Sequence, residues 1–359
     1  MKSAGSDRNR PERVTQRTIA ERCGVQVATV SRVLNNVKSG FSVLPEKREQ
    51  ILATARELGY MPNSAARNLR RSRSGRIVVL GYSLFWDPDD STYSQMLRHC
   101  IEECNRHGYQ VDLVFPPDPR ELLAPGACDG AVIVNLMRRN LNREFRHYGI
   151  PYVLMNSRGD EDEAFVTADD RGGIALAIRR LCELGHRRLA YFGASNLFKG
   201  KTHSSVQDRF EGFLDACRTE GLADPITETA EETDAESFLE HILSRNVTGV
   251  VSYNQLGGIL LYRACRKMGV RVPEDLNIIA FNRLFDFFEP HLTTLVFDLE
   301  SMGKATAKLL IDQIEHSAEP RGITFPLSLE EGESTAPPDD ARNYQKTLLS
   351  SFDKTIASI

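Results

Sequence analysis

The chain has 359 residues, more than one ordinary domain needs and enough for two or three. Its 41% hydrophobic and 26% charged residues exclude a disordered chain, and no run of 18 or more apolar residues predicts a transmembrane helix. The net charge of −4 hides an asymmetry: residues 1–76 hold 16 Lys and Arg against 6 Asp and Glu, a balance of +10, which leaves −14 for the remainder. A basic module joined to an acidic body points to a polyanionic partner at the N-terminal end, although a basic flexible arm has the same composition. The first ten residues are polar, with no apolar stretch, which reads against a secretory signal and for a cytoplasmic location.

In chain order, the apolar spacing predicts three helices at 15–22, 28–34 and 45–58, with Gly24 in the left-handed turn between the first two. Gly59 and Pro62 stop the third. Residues 63–69 form a stretch of about two turns, marginal as an isolated helix, and 70–76 a basic, Ser-rich linker. The pattern then alternates. Strands are expected at 77–82, 110–115, 130–134, 152–155, 189–192, 249–252 and 277–281. Amphipathic helices are expected at 93–107, 172–184, 209–220, 235–244, 257–268 and 301–314. Repeated β-then-α units predict parallel sheets covered by helices, and roughly 260 residues of them predict two lobes with a ligand cleft at the carboxyl ends of the strands.

Seven cysteines, an odd number without Cys-x-x-Cys, read as reduced thiols. Cys100, Cys104 and His107 have helical spacing that superficially suits a metal, but Met96, Cys100, Ile101 and Cys104 also form an apolar stripe, and no metal site or cofactor is expected.

The most specific signal is Gly24-Val25-Gln26-Val27-Ala28-Thr29-Val30-Ser31-Arg32-Val33-Leu34-Asn35. Here the chain resembles the lactose-repressor/galactose-repressor family of transcription regulators. The resemblance continues through 57–63, 66–69, 184–190 and 292–295 to Glu333-Ser334-Thr335-Ala336-Pro337-Pro338. It implies an all-α helix-turn-helix DNA-binding domain followed by an α/β two-lobed, periplasmic-binding-protein-like domain of doubly wound parallel sheets. The implied division is a DNA-binding domain at 1–62, a hinge helix and linker at 63–75, and an effector-binding and dimerisation domain at 76–338. Its first lobe is 76–170 with 301–325 and its second 171–300 with 326–338; a tail of 339–359 follows, with near-helical spacing of Tyr344, Leu348, Leu349, Phe352 and Ile356. The implied function is a repressor that binds a pseudo-palindromic operator in double-stranded DNA as a homodimer or higher oligomer. A small-molecule effector in the cleft modulates it, and no membrane is involved.

In a helix-turn-helix the second helix presents its outward side chains to the major groove. Val27 and Ala28 match family positions that vary with the operator, and as apolar residues they read features such as a thymine methyl. Arg32 matches a base- or phosphate-contacting position, while Thr15, Thr29, Ser31 and Asn35 suit phosphates. Gln26 stands where the family usually has a small capping serine. Asn63, Ala66, Arg67 and Leu69 match the hinge helix, and Leu69 the leucine that wedges into the minor groove.

For the effector, Arg209 matches a ligand-reaching arginine, Tyr93 a cleft-lining aromatic and Asn254 a ligand-facing asparagine. The family's usual aspartate is Asn282, and Gln255 and Arg283 also remove negative charge, which shifts the expected ligand from a common monosaccharide towards an anionic or phosphorylated one. A cleft that has lost its ligand, with a structural Arg209, is the alternative. The stretch 195–202 ends Gly200-Lys201-Thr202 like a phosphate loop, but Ser195 replaces the first glycine. No catalytic arrangement stands out from spacing, so an enzyme is not expected. A binding protein without a DNA role leaves the basic first 76 residues unexplained.

Overall fold

The computed structural model describes residues 14–34, 43–60, 73–81, 90–114, 119–134, 139–193, 203–227, 234–282 and 289–337. The chain divides into two compact units, Met1–Ser72 and Arg73–Ile359.

The first unit is a small helical domain of α1 (Gln16–Cys23), α2 (Val27–Leu34) and α3 (Pro45–Glu57). Thr15 caps α1, and its hydroxyl accepts from the Thr18 N–H in a reciprocal capping box. Gly24 closes that helix at φ 63°, a conformation that costs a residue without Cβ little. The chain turns at once into α2, whose first bonds run from the Thr29 and Val30 N–H groups to the Gln26 carbonyl. Ile19, Ala20, Cys23, Val30, Val33, Ile51 and Ala55 close on one another as the core, and the Cys23 thiol donates to the Thr54 hydroxyl at 3.4 Å.

The second unit contains two six-stranded sheets. The strands of the first are β1 (Arg76–Gly81), β2 (Gln110–Val114), β3 (Gly130–Val134), β4 (Tyr152–Met155), β5 (Phe165–Ala168) and β11 (Gly322–Phe325). They lie in the order β11-β5-β4-β3-β1-β2, all parallel. The second sheet holds β6 (Leu189–Phe192), β7 (Ile226–Thr227), β8 (Gly249–Ser252), β9 (Asn277–Phe281), β10 (Thr293–Val296) and β12 (Ser328–Glu330). Its order is β12-β10-β9-β8-β6-β7, and only β12 runs antiparallel to its neighbour. The same 2-1-3-4-5 order thus occurs in both lobes, with a switch point between β1 and β3 and another between β6 and β8. The fully buried strands β3, β4, β6, β8 and β9 are near-continuous apolar runs, as parallel strands covered on both faces require.

Helices link the strands: α4 (Asp90–Arg106), α5 (Arg139–His147), α6 (Asp170–Glu183), α7 (Ser204–Thr219), α8 (Ala235–Ser244), α9 (Gln255–Met268) and α10 (Leu299–His316). Carboxylate or amide oxygens of Asp169, Asp234, Asn254 and Asp298 cap four of them and accept backbone N–H bonds of the first turn. The chain passes between the lobes after β5, after β10 and between β11 and β12. Phe297 and Leu327, on the last two passages, pack against the cores of both lobes. Cys100 and Cys104 belong to the first lobe's core, and their mutual hydrogen bond and burial push the Cys100 thiol well up. Among the described residues no helix is long and apolar enough to cross a membrane.

Candidate functional site

On α2 the buried stripe of Val30 and Val33 faces α1 and α3, which leaves the other side of the helix to solvent. Gln26, Val27, Ala28 and Arg32 are exposed there, with Thr29 and Ser31 partly so. Val27 is 43% exposed, although it is an aliphatic residue. Thr15 is exposed at the start of α1, where its hydroxyl is engaged as a cap. Of the other residues singled out for DNA, Asn35, Asn63, Ala66, Arg67 and Leu69 lie outside the described residues.

The second candidate site lies between the lobes, at the carboxyl ends of the strands. Its centre is Arg209, on the first half of α7. The Arg209 Nε donates to Asp170 Oδ1 at 2.7 Å, and Nη1 donates to the Tyr253 carbonyl at 2.5 Å. The guanidinium carbon stands 4.1 Å from the Phe281 ring centroid, 4.7 Å from Tyr253 and 5.8 Å from Phe297. Burial alone would pull the Arg209 pKa down; the Asp170 carboxylate and Tyr253 outweigh it and hold the guanidinium above its ordinary value. The side chains of Arg209 and Asp170 are only 6% and 5% exposed, so this is a desolvated ion pair with its charge matched inside the protein.

A hydrogen-bonded chain runs beside that pair. The Tyr253 hydroxyl meets Ser205 Oγ at 2.8 Å, and Ser205 Oγ meets His203 Nδ1 at 2.6 Å. The Ser205 N–H donates to the same Nδ1, so the ring's proton sits on Nε2, which donates to the Asn156 carbonyl. Burial holds the His203 pKa below its usual value and keeps the ring neutral. Asn156 follows β4 of the first lobe, whereas His203 precedes α7 of the second, so this bond ties the lobes together. Asn282 Nδ2 to Thr92 Oγ1, at 3.2 Å, is another such tie, and the Arg158–Asp208 ion pair, at 3.6 Å, a further one.

Among the described residues, two polar atoms in this region have no hydrogen-bond partner: Asn282 Oδ1 and Ser157 Oγ, on residues 7% and 5% exposed. Asn282 adopts a left-handed φ of 65° just after β9, and this backbone turn directs its amide across to Thr92. Buried polar atoms without a partner are uncommon in native proteins.

The four residues singled out from sequence for a ligand therefore have different settings. Arg209 and Asn282 lie among the groups joining the lobes. Asn254 is buried at the head of α9, where its Oδ1 accepts from the Gly257 N–H at 2.8 Å; that oxygen is occupied as a cap. Tyr93 packs into the first lobe's core, and its neighbour Thr92 makes the inter-lobe contact. Asp170, His203, Ser205, Tyr253 and Ser157 were not picked out. All follow a strand's carboxyl end or open the next helix, and that position was the available signal. The phosphate-loop-like stretch 195–202 lies outside the described residues.

Comparison with known proteins gives two family matches: "Bacterial regulatory proteins, lacI family" over residues 15–63, and "Periplasmic binding protein-like domain" over residues 178–335. The ribose operon repressor of Halalkalibacterium halodurans is 28% identical over 313 residues, covering 84% of this chain and 90% of that protein. A solved complex of the transcriptional regulator CelR with cellobiose aligns with a TM-score of 0.62 at 26% identity, covering 90% of this chain and all of that one. The lac repressor dimer bound to operator and the anti-inducer ONPF aligns with a TM-score of 0.67 over 90% of this chain, a likeness of fold at 19% identity. The relatives are regulators rather than enzymes.

Proposed function

Because the chain belongs to the lacI family of bacterial regulatory proteins, with a periplasmic binding protein-like domain behind its DNA-binding domain, we propose that it is an operator-binding repressor. It acts as a homodimer and responds to a small neutral ligand between its lobes. The carrying observation is the solvent face of α2, with Gln26, Val27, Ala28 and Arg32 exposed in a segment whose formal charge is +10 over residues 1–76. Arg32 contacts a base or phosphate from that face, and Thr15, Thr29, Ser31 and Asn35 position the module on the backbone. On the strength of the resemblance, residues 63–75 link the DNA-binding domain of 1–62 to the ligand-binding domain, and Leu69 reaches the minor groove with Asn63, Ala66 and Arg67 beside it. Two-fold pairing makes the operator an inverted repeat.

The ligand reading follows from charge. Arg209 already has Asp170 at 2.7 Å, so an anion would compete with a buried carboxylate for its guanidinium. Asn282 Oδ1 only accepts and so suits a donor such as a sugar hydroxyl, while the Ser157 hydroxyl can donate or accept. A neutral, hydroxyl-bearing ligand therefore replaces the anionic one that Asn282 and Gln255 suggest when read as lost carboxylates. The ribose operon repressor and the cellobiose complex of CelR are in line with this.

The test is an electrophoretic mobility shift with fragments of the source genome. We expect retention of a fragment carrying an inverted repeat, and loss of retention in Arg32→Ala and on deletion of residues 1–62. Sequence-specific retention by the truncated protein contradicts the reading.

A further inference from the structure

Val27 is the first residue of α2 and is not one of the buried residues that form the helical unit's core. The residues of α2 that do close on α1 and α3 are Val30 and Val33. A valine 43% exposed beside an exposed Ala28 puts a small aliphatic surface at the leading end of the helix. Neither side chain donates or accepts a hydrogen bond. In a helix-turn-helix the N-terminal residues of the second helix meet the base edges of the major groove. The apolar feature there is a methyl group on C5 of a pyrimidine: thymine carries one, and cytosine carries one only when methylated.

We infer that Val27 reads a pyrimidine 5-methyl group in each operator half-site, and that cytosine methylation at this step substitutes for thymine. The inference rests on the operator-binding reading above. Val27 is blind to what distinguishes the two pyrimidines at position 4, a carbonyl in thymine and an amino group in cytosine. The contact therefore tracks the methyl and not the base. Gln26 and Arg32 on the same face supply the hydrogen bonds that read neighbouring positions.

The experiment starts with selection of bound sequences from a random duplex library by the full chain. Each thymine of the enriched half-site is then replaced by uracil, by cytosine paired with guanine, or by 5-methylcytosine paired with guanine, and affinities are measured by fluorescence anisotropy. At one thymine, uracil is expected to weaken binding roughly fourfold per half-site, the equivalent of about 0.8 kcal/mol for one methyl group. Cytosine should weaken binding at least as much, and 5-methylcytosine should restore it to within about twofold of thymine. Val27→Ala, a change on the solvent face, should bind the thymine and uracil duplexes alike. Uracil tolerated at every position, or discrimination that persists in Val27→Ala, overturns the inference while leaving operator binding in place. A library with no enriched sequence contradicts operator binding itself and removes the inference with it.

Discussion

Removing Asp170 leaves Arg209 charged among Phe281, Tyr253 and Phe297, with no partner of opposite sign at 2.7 Å. Breaking a pair so buried costs about 3–5 kcal/mol, whereas replacing both members with apolar residues of similar size is often close to neutral. Asp170→Ala should therefore lower the stability of residues 73–337 by that amount in urea denaturation, and Asp170→Leu/Arg209→Met should recover most of it. A double variant as unstable as the single one would contradict this account of the pair. The histidines give a pH dependence. Burial holds the pKa values of His186 and His203 below the ordinary 6.5, so the unfolded chain takes up protons first as pH falls. Stability from these two groups is complete above about pH 6.5 and declines below it, by at most about 1.4 kcal/mol per pH unit for each. His203→Gln should flatten part of that decline between pH 7.5 and 5, and an unchanged slope would remove His203 from the explanation. Arg209 and Asn282 were visible in the sequence as site residues because each matched a motif position. Their partners were not: Asp170 is 39 residues from Arg209, and Thr92 is 190 residues from Asn282, separations that only the folded lobes bring together.

At the scale of elements, α10 lies against α4 so closely that a Cβ on Gly303 would stand 2.3 Å from the Met96 carbonyl oxygen and 2.9 Å from His99 Cβ. A backbone oxygen cannot swing aside as a side chain can, so Gly303→Ala must separate the two helices. The expected cost is about 1–3 kcal/mol, as for overpacked cores, seen as a lower urea midpoint with far-ultraviolet dichroism unchanged in the native state. A midpoint equal to the wild type would show that the helices have room to part. The long apolar periodicities made most elements legible: expected helices at 15–22, 28–34 and 45–58 correspond to Gln16–Cys23, Val27–Leu34 and Pro45–Glu57. The elements that went unread have weak signals. β5, β7, β10, β11 and β12 are two to four residues long, and α5 is dominated by Arg and Asn. The helix α7 begins at Ser204 rather than 209, because His203 caps it through a ring nitrogen instead of an Asp, Asn, Ser or Thr oxygen.

For the whole molecule, the charge division coincides with the structural one. The basic residues collect in the unit Met1–Ser72 and the acidic excess in the unit Arg73–Ile359, which suits one unit to a polyanion and the other to a ligand matched by hydrogen bonds. The two-lobed architecture was legible from the alternation of strands and helices. The pairing of Arg209 with Asp170 was not, since it is a tertiary fact. The central claim joins the two units: a neutral ligand between the lobes changes the affinity of the other unit for DNA. It is tested most directly by fluorescence anisotropy of the selected operator duplex at fixed salt, titrated with the full chain alone and with ribose, cellobiose, other neutral sugars or their phosphates. The account predicts that at least one neutral sugar shifts the dissociation constant by about 5- to 150-fold, and that Asn282→Ala reduces the shift. A shift produced by sugar phosphates alone, or an affinity that no neutral sugar alters, would contradict it.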